Sequence, residues 1–123
     1  NEYVQTDKAS HQSYQFMEDA FNYLETHYFE PLTVKDLADI AHLSERHFTR
    51  LFKEIYGTTP NAYIIRCRLT HACELIKNTP NTLSSISEEC GFPNFPAFTK
   101  TFKDKLGVTP SQYRRQQRSS TDV

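Results

Sequence analysis

Apolar and polar positions separate at the helical period most cleanly over residues 44–56, SERHFTRLFKEIY. Phe48, Leu51, Phe52 and Ile55 fall at i, i+3, i+4 and i+7 and form one apolar stripe. Arg46, Thr49, Arg50 and Lys53 repeat that spacing as a second stripe, and three of those four are cationic. Ser44 suits the N-cap, because its hydroxyl can accept a bond from an orphan first-turn amide. Upstream, Leu32–Ala41 reads as a short helix with Leu37, Ile40 and Ala41 inward. It starts at Thr33-Val34-Lys35-Asp36, a T-x-x-D sequence close to a capping box. His42-Leu43-Ser44 joins the two helices. A short helix, a tight turn and a second helix with a basic outward face make the helix-turn-helix pattern, with residues 44–56 as the recognition helix.

The same reading extends along the chain. Residues 1–12 are polar and aperiodic, which predicts a disordered end or linker. Phe16, Ala20, Phe21, Leu24 and Tyr28 make Ser13–Tyr28 an amphipathic helix, stopped before Pro31. Gly57 ends the recognition helix, and Thr59-Pro60 restarts the chain as N-cap and first helical residue. Residues 60–77 then form a long helix with Ala62, Ile65, Leu69, Ala72 and Ile76 on one side. After the Asn78-Thr79-Pro80-Asn81 turn, Thr82 caps a helix over Leu83–Cys90 with Leu83, Ile86 and Cys90 inward. Asn94 caps a helix running to Leu106, Gly107 ends it, and Thr109-Pro110 opens a last short helix. The tail, residues 118–123, is expected to be disordered. The fold class is all-α.

An internal repeat joins these elements. FTRLFKEIYGTTPNAY, residues 48–63, and FTKTFKDKLGVTPSQY, residues 98–113, align at an offset of fifty with eight identities in sixteen positions. A repeat with glycine and proline in register changes the architecture. The helix-turn-helix unit occurs twice, over 13–57 and 82–117, with the 60–77 helix as connector and a second recognition helix over 94–106. The second outward face is Pro96, Thr99, Lys100 and Lys103. Phe95 and Pro96 occupy its first turn, where the first copy has Arg46 and His47, and neither can hydrogen-bond a base edge through its side chain. The second unit is therefore expected to read bases poorly at its N-terminal end, relying on Thr99, Lys100, phosphate contacts and apolar contact with thymine methyls.

Charge sharpens this picture although the net value is only −1. Residues 1–42 hold two basic and eight acidic side chains, whereas residues 94–118 hold six basic residues against Asp104 alone. The positive charge thus lies near the two recognition helices, as a nucleic-acid partner requires. Asp36 and Asp39 read as a solvated helix face. Cys67, Cys73 and Cys90 are three in number and no CxxC occurs, which argues against a disulfide framework and suits a reducing cytoplasm. Cys67 and His71 share a helix face, but His11, His27, His42 and His47 are scattered and no second pair completes a zinc site. No catalytic spacing, phosphate loop or membrane-length apolar run is present, so neither an enzyme, a metal nor a cofactor is expected.

The segments PLTVKDLADIAHLSERHFTRLFKEIYGTTPNAYI and ECGFPNFPAFTKTFKDKLGVTPSQYR resemble the AraC/XylS family of transcriptional regulators, over roughly Phe16 to Arg114. The resemblance implies a seven-helix DNA-binding domain, two helix-turn-helix units joined by a long connector helix. Its recognition helices would enter successive major grooves about 34 Å apart on double-stranded DNA. It implies that Arg46, Thr49 and Arg50 contact DNA in the first unit, and Phe95, Pro96, Thr99 and Lys100 in the second. Ser44, His47, Lys53, Asn94 and Lys103 complete the candidate interface. The resemblance also carries three further expectations: activation through RNA polymerase, a cytoplasmic bacterial setting, and a separate N-terminal effector-binding domain. The first residue is Asn rather than Met, so the chain is expected to be the C-terminal module of a longer protein. The rival reading from the residues alone is a helical protein-interaction module, which a shallow salt dependence of binding would favour.

Overall fold

Local capping chemistry sets the helix boundaries of the computed structural model, which describes residues 2–122, with side chains described over 12–118. Among the described residues there are seven helices and no strand: α1 (Glu2–His27), α2 (Val34–Ile40), α3 (Glu45–Tyr56), α4 (Pro60–Asn78), α5 (Leu83–Glu89), α6 (Phe95–Leu106) and α7 (Pro110–Asp122). Thr33 and Asp36 form a full capping box. The Asp36 amide donates to the Thr33 hydroxyl at 3.1 Å, and the Thr33 amide donates to the Asp36 carboxylate at 3.0 Å. Helices α3 and α6 end alike, with Gly57 and Gly107 in the left-handed region donating to the Lys53 and Lys103 carbonyls at 2.9 Å. Thr59 and Thr109 cap the helices that follow.

The chain divides into two compact units, residues 1–28 with 32–65 and residues 29–31 with 66–123, so the boundary falls inside α4. In the first unit the core is Met17, Ala20, Leu24, Leu37, Ala38, Ala41, Phe48, Phe52 and Ile64. Phe52 lies between Phe48 and Tyr56, with ring centroids 5.7 and 4.6 Å away, and Phe21 stacks on Tyr56 at 4.3 Å. Tyr63 keeps its hydroxyl wet by donating to the Glu25 carboxylate at 2.9 Å. In the second unit Leu69, Ala72, Ile76, Ile86, Cys90, Phe92, Phe98 and Phe102 are buried. Arg114 ties α7 to the loop before α5 through the Asn81 and Thr79 carbonyls, at 2.7 and 3.3 Å.

Several expectations are corrected. Disorder was expected over residues 1–12 and 118–123, yet helix begins at Glu2 and α7 runs to Asp122, while Asn1 and Val123 lie outside the described residues. Neither segment contains glycine or proline, and extending a nucleated helix adds one hydrogen bond per residue fixed. Ile55, expected on the apolar stripe, is 37% exposed, because the first-unit core is filled by Phe48 and Phe52 and the chain turns away at Gly57. At the start of α4, Pro60 and Ile64 are buried rather than Ala62 and Ile65, since the docked proline sets the rotational phase of that turn. Met17, missed from the pattern, is 1% exposed, while Phe16 and Phe21 are only half-buried.

Candidate nucleic-acid interface

Each recognition helix begins with a cap that consumes one polar side chain. Ser44 accepts the His47 amide at 3.2 Å, and Asn94 accepts the Ala97 amide at 2.8 Å through its side-chain oxygen. Both residues were expected to contact DNA, and in each the oxygen is already engaged in holding its helix. The turn before each helix is built alike. Ala41 and Cys90 end the preceding helix, and His42 and Gly91 follow in the left-handed conformation at φ 58° and 97°. Their amides return to the Asp39 and Glu88 carbonyls, both at 3.1 Å. The next amides, Leu43 and Phe92, reach the Ala38 and Ser87 carbonyls at 3.0 and 3.1 Å, the double bond pattern of a Schellman end.

On α3, Arg46, His47, Arg50 and Lys53 are exposed and Thr49 is half-buried. Arg46, Thr49, Arg50 and Lys53 are brought together around one shallow depression, joined by Glu45 and Thr59. His47 and Ser44 do not line it. Glu45 and Thr59 were absent from the candidate residues. Glu45 could have been found as the residue after the cap. Thr59 carried only a capping signal, because its approach to α3 depends on the left-handed turn at Gly57. Lys35 pairs with Asp39 at 3.2 Å on α2, whereas Arg46, Arg50 and Lys53 show no carboxylate at ion-pair distance among the described residues. Like charges gathered on one face repel, and a polyanion relieves that repulsion.

On α6, Lys100 and Lys103 are exposed in the places of Arg50 and Lys53. Phe95 and Pro96 are also exposed, Phe95 at 42%, with its ring 6.0 Å from that of Phe98. Thr99 differs from expectation. The residue is half-buried, and its hydroxyl oxygen lies out of solvent with no hydrogen-bond partner. Among the described residues no three His, Cys, Asp or Glu side chains converge as a metal site. Among them, too, no helix is long and apolar enough to cross a membrane.

Two tandem helix-turn-helix units with capped, cationic second helices define a class, the DNA-binding domains of transcription regulators. The family model described as "Helix-turn-helix domain" matches residues 37–116, and the chain belongs to that family in its AraC-type form. It is 34% identical over 93 residues to the probable transcriptional regulator LumQ of Photobacterium leiognathi, covering 76% of this chain but 38% of that protein. Two crystal structures share the fold. One is the DNA-binding domain of the global transcriptional factor AdpA in complex with a target DNA, with a TM-score of 0.80 and 27% identity. The match covers 85% of this chain and 94% of that one. The other is an AraC-type regulator from Chromobacterium violaceum, with a TM-score of 0.73, 32% identity and the same coverages of 85% and 94%. The chain is thus a helix-turn-helix DNA-binding domain of the transcription-regulator class.

Proposed function

We propose that this domain binds double-stranded DNA sequence-specifically, each unit laying its recognition helix in a major groove and the two contacts falling one helical turn apart. The carrying observation is the register of unneutralised cations on two helices capped in the same pattern, Arg50 with Lys100 and Lys53 with Lys103. In this reading Arg46 forks onto a guanine edge, a contact that contributes about 1–3 kcal/mol of discrimination. Thr49 adds a base or backbone contact beside it. Arg50, Lys53, Lys100 and Lys103 neutralise phosphates, a sequence-independent and salt-sensitive contribution. His47, Ser44 and Asn94 lie at the helix starts, where groove and backbone meet. AdpA's domain is crystallised on a target DNA, which supports carrying the same mode to this chain.

The setting proposed is the bacterial cytoplasm, where the domain raises transcription by contact with RNA polymerase under the control of a separate effector-binding domain. The first test is selection from a random duplex library, followed by salt titration of the winner. An enriched site with two half-sites one helical turn apart and a steep salt slope supports the reading. No enrichment and a shallow slope would sink it, in favour of a protein partner.

A further inference from the structure

We propose that Phe95, Pro96 and Thr99 form a thymine-methyl reader on α6, and that this apolar contact carries the base preference of the second unit. The inference rests on the DNA reading above and names the chemistry its second helix recognises.

The N-caps Ser44 and Asn94 stand fifty positions apart, so Phe95 takes the place of Glu45 and Pro96 that of Arg46. Where α3 offers a carboxylate and a guanidinium, α6 offers two rings of carbon. Pro96 has no amide hydrogen, so the first turn has also lost one donor that α3 retains at Arg46, while the Ala97 amide is taken by Asn94 as the His47 amide is by Ser44. The Phe95 ring does not enter the core, which Phe92, Phe98 and Phe102 already fill. One turn on, Thr99 turns its hydroxyl oxygen out of solvent without a partner, so its accessible side-chain surface is carbon. An unpartnered buried hydroxyl costs free energy, and it leaves the methyl as the group Thr99 offers outward.

Phe95, Pro96 and, one turn on, the half-buried Thr99 therefore present apolar surface, flanked along the same helix by the exposed cations Lys100 and Lys103. On the edges of base pairs in the major groove the apolar feature is the C5-methyl of thymine. A helix with carbon at its reading positions and cations beside them fits a thymine-bearing half-site held by its phosphates. Specificity would then come from buried methyl area rather than from paired donors and acceptors.

The test uses the duplex selected for this chain, with each thymine replaced singly by deoxyuridine, which removes the methyl and keeps every hydrogen-bonding group. At one or more thymines of the second half-site the replacement should weaken binding about fourfold, the factor expected for one buried methyl. Thr99→Val should bind within about twofold of the parent, whereas Thr99→Ser, which keeps the hydroxyl and deletes the methyl, should weaken binding and lose part of the deoxyuridine effect. Phe95→Ala should abolish discrimination at its thymine while its urea melting curve stays that of the parent, which shows that the second unit is folded. A second half-site without thymine, indifference to every deoxyuridine, or a loss in Thr99→Val equal to that in Thr99→Ser overturns the inference and leaves the DNA reading standing. Failure to enrich any site overturns both.

Discussion

The backbone of Phe29 lies 2.8 Å from where a side-chain carbon on Gly91 would stand, while His42, at the same point of the first turn, carries a full imidazole. Both residues adopt a positive φ, and in the second unit the main chain of Phe29 presses against that position. The His42 ring instead packs on Phe16, with centroids 4.4 Å apart. Gly91→Ala should therefore destabilise by at least about 2 kcal/mol, left-handed strain and a backbone clash together. His42→Gly, which relieves strain but loses the ring contact and loosens the unfolded chain, should change stability by less than about 1 kcal/mol. Urea melts of the two variants check the contrast, and equal effects would contradict it.

Core and reading residues alternate on the same helices, so their substitutions should separate. Phe98→Ala removes a fully buried ring and should cost roughly 3–5 kcal/mol of stability, with any loss of DNA binding following from unfolding. Arg46→Ala changes an exposed side chain, so the melting curve should stay in place while preference relaxes at one base pair. Lys103→Ala should weaken all sequences alike and lower the salt slope by about 1. A change of base preference in Lys103→Ala would show that these roles are misassigned.

The hidden hydroxyl of Thr99 gives a prediction independent of DNA. Thr99→Val removes an unsatisfied buried polar group at nearly constant shape, and valine and threonine have similar helix propensities. The variant should be more stable by about 1 kcal/mol, read from the denaturant midpoint. Destabilisation would mean the hydroxyl finds a partner in solution.

Acid sensitivity should trace in part to the first helix-turn-helix. The Asp36 carboxyl is held below the usual carboxylate range, first by the Thr33 backbone amide and then by the Thr33 hydroxyl. A lowered folded value stabilises at pH above the ordinary carboxylate range, and that contribution disappears as pH falls through the lowered value. Asp36→Asn should therefore flatten the low-pH limb of stability without steepening the neutral limb.

Cys90 is fully buried, and burial first, then Glu89 and Cys73, pushes its thiol up to about 12. Little thiolate forms near neutrality, so alkylation of the native protein at pH 8 should spare Cys90, and mass spectrometry should find it modified only after unfolding.

What the sequence determined by itself is what local chemistry dictates. Thr33, Ser44, Thr82 and Asn94 cap because a side-chain oxygen three residues before an orphan amide can reach it. Phe48 with Phe52, and Phe98 with Phe102, share a face because they lie four apart on a helix. The fifty-residue repeat and its Gly-x-Thr-Pro turn were legible for the same reason, since each depends on neighbours in the chain. Tertiary structure alone decided which turn of α4 is buried through Pro60 and Ile64, and why Ile55 is left at the surface. It also decided that Thr59 joins the Arg46 depression, that Phe29 forbids a side chain at Gly91, and that Thr99 turns its hydroxyl inward. Each of these depends on atoms brought together by packing of distant segments, and burial is set by the neighbour that arrives rather than by the period of the helix that receives it.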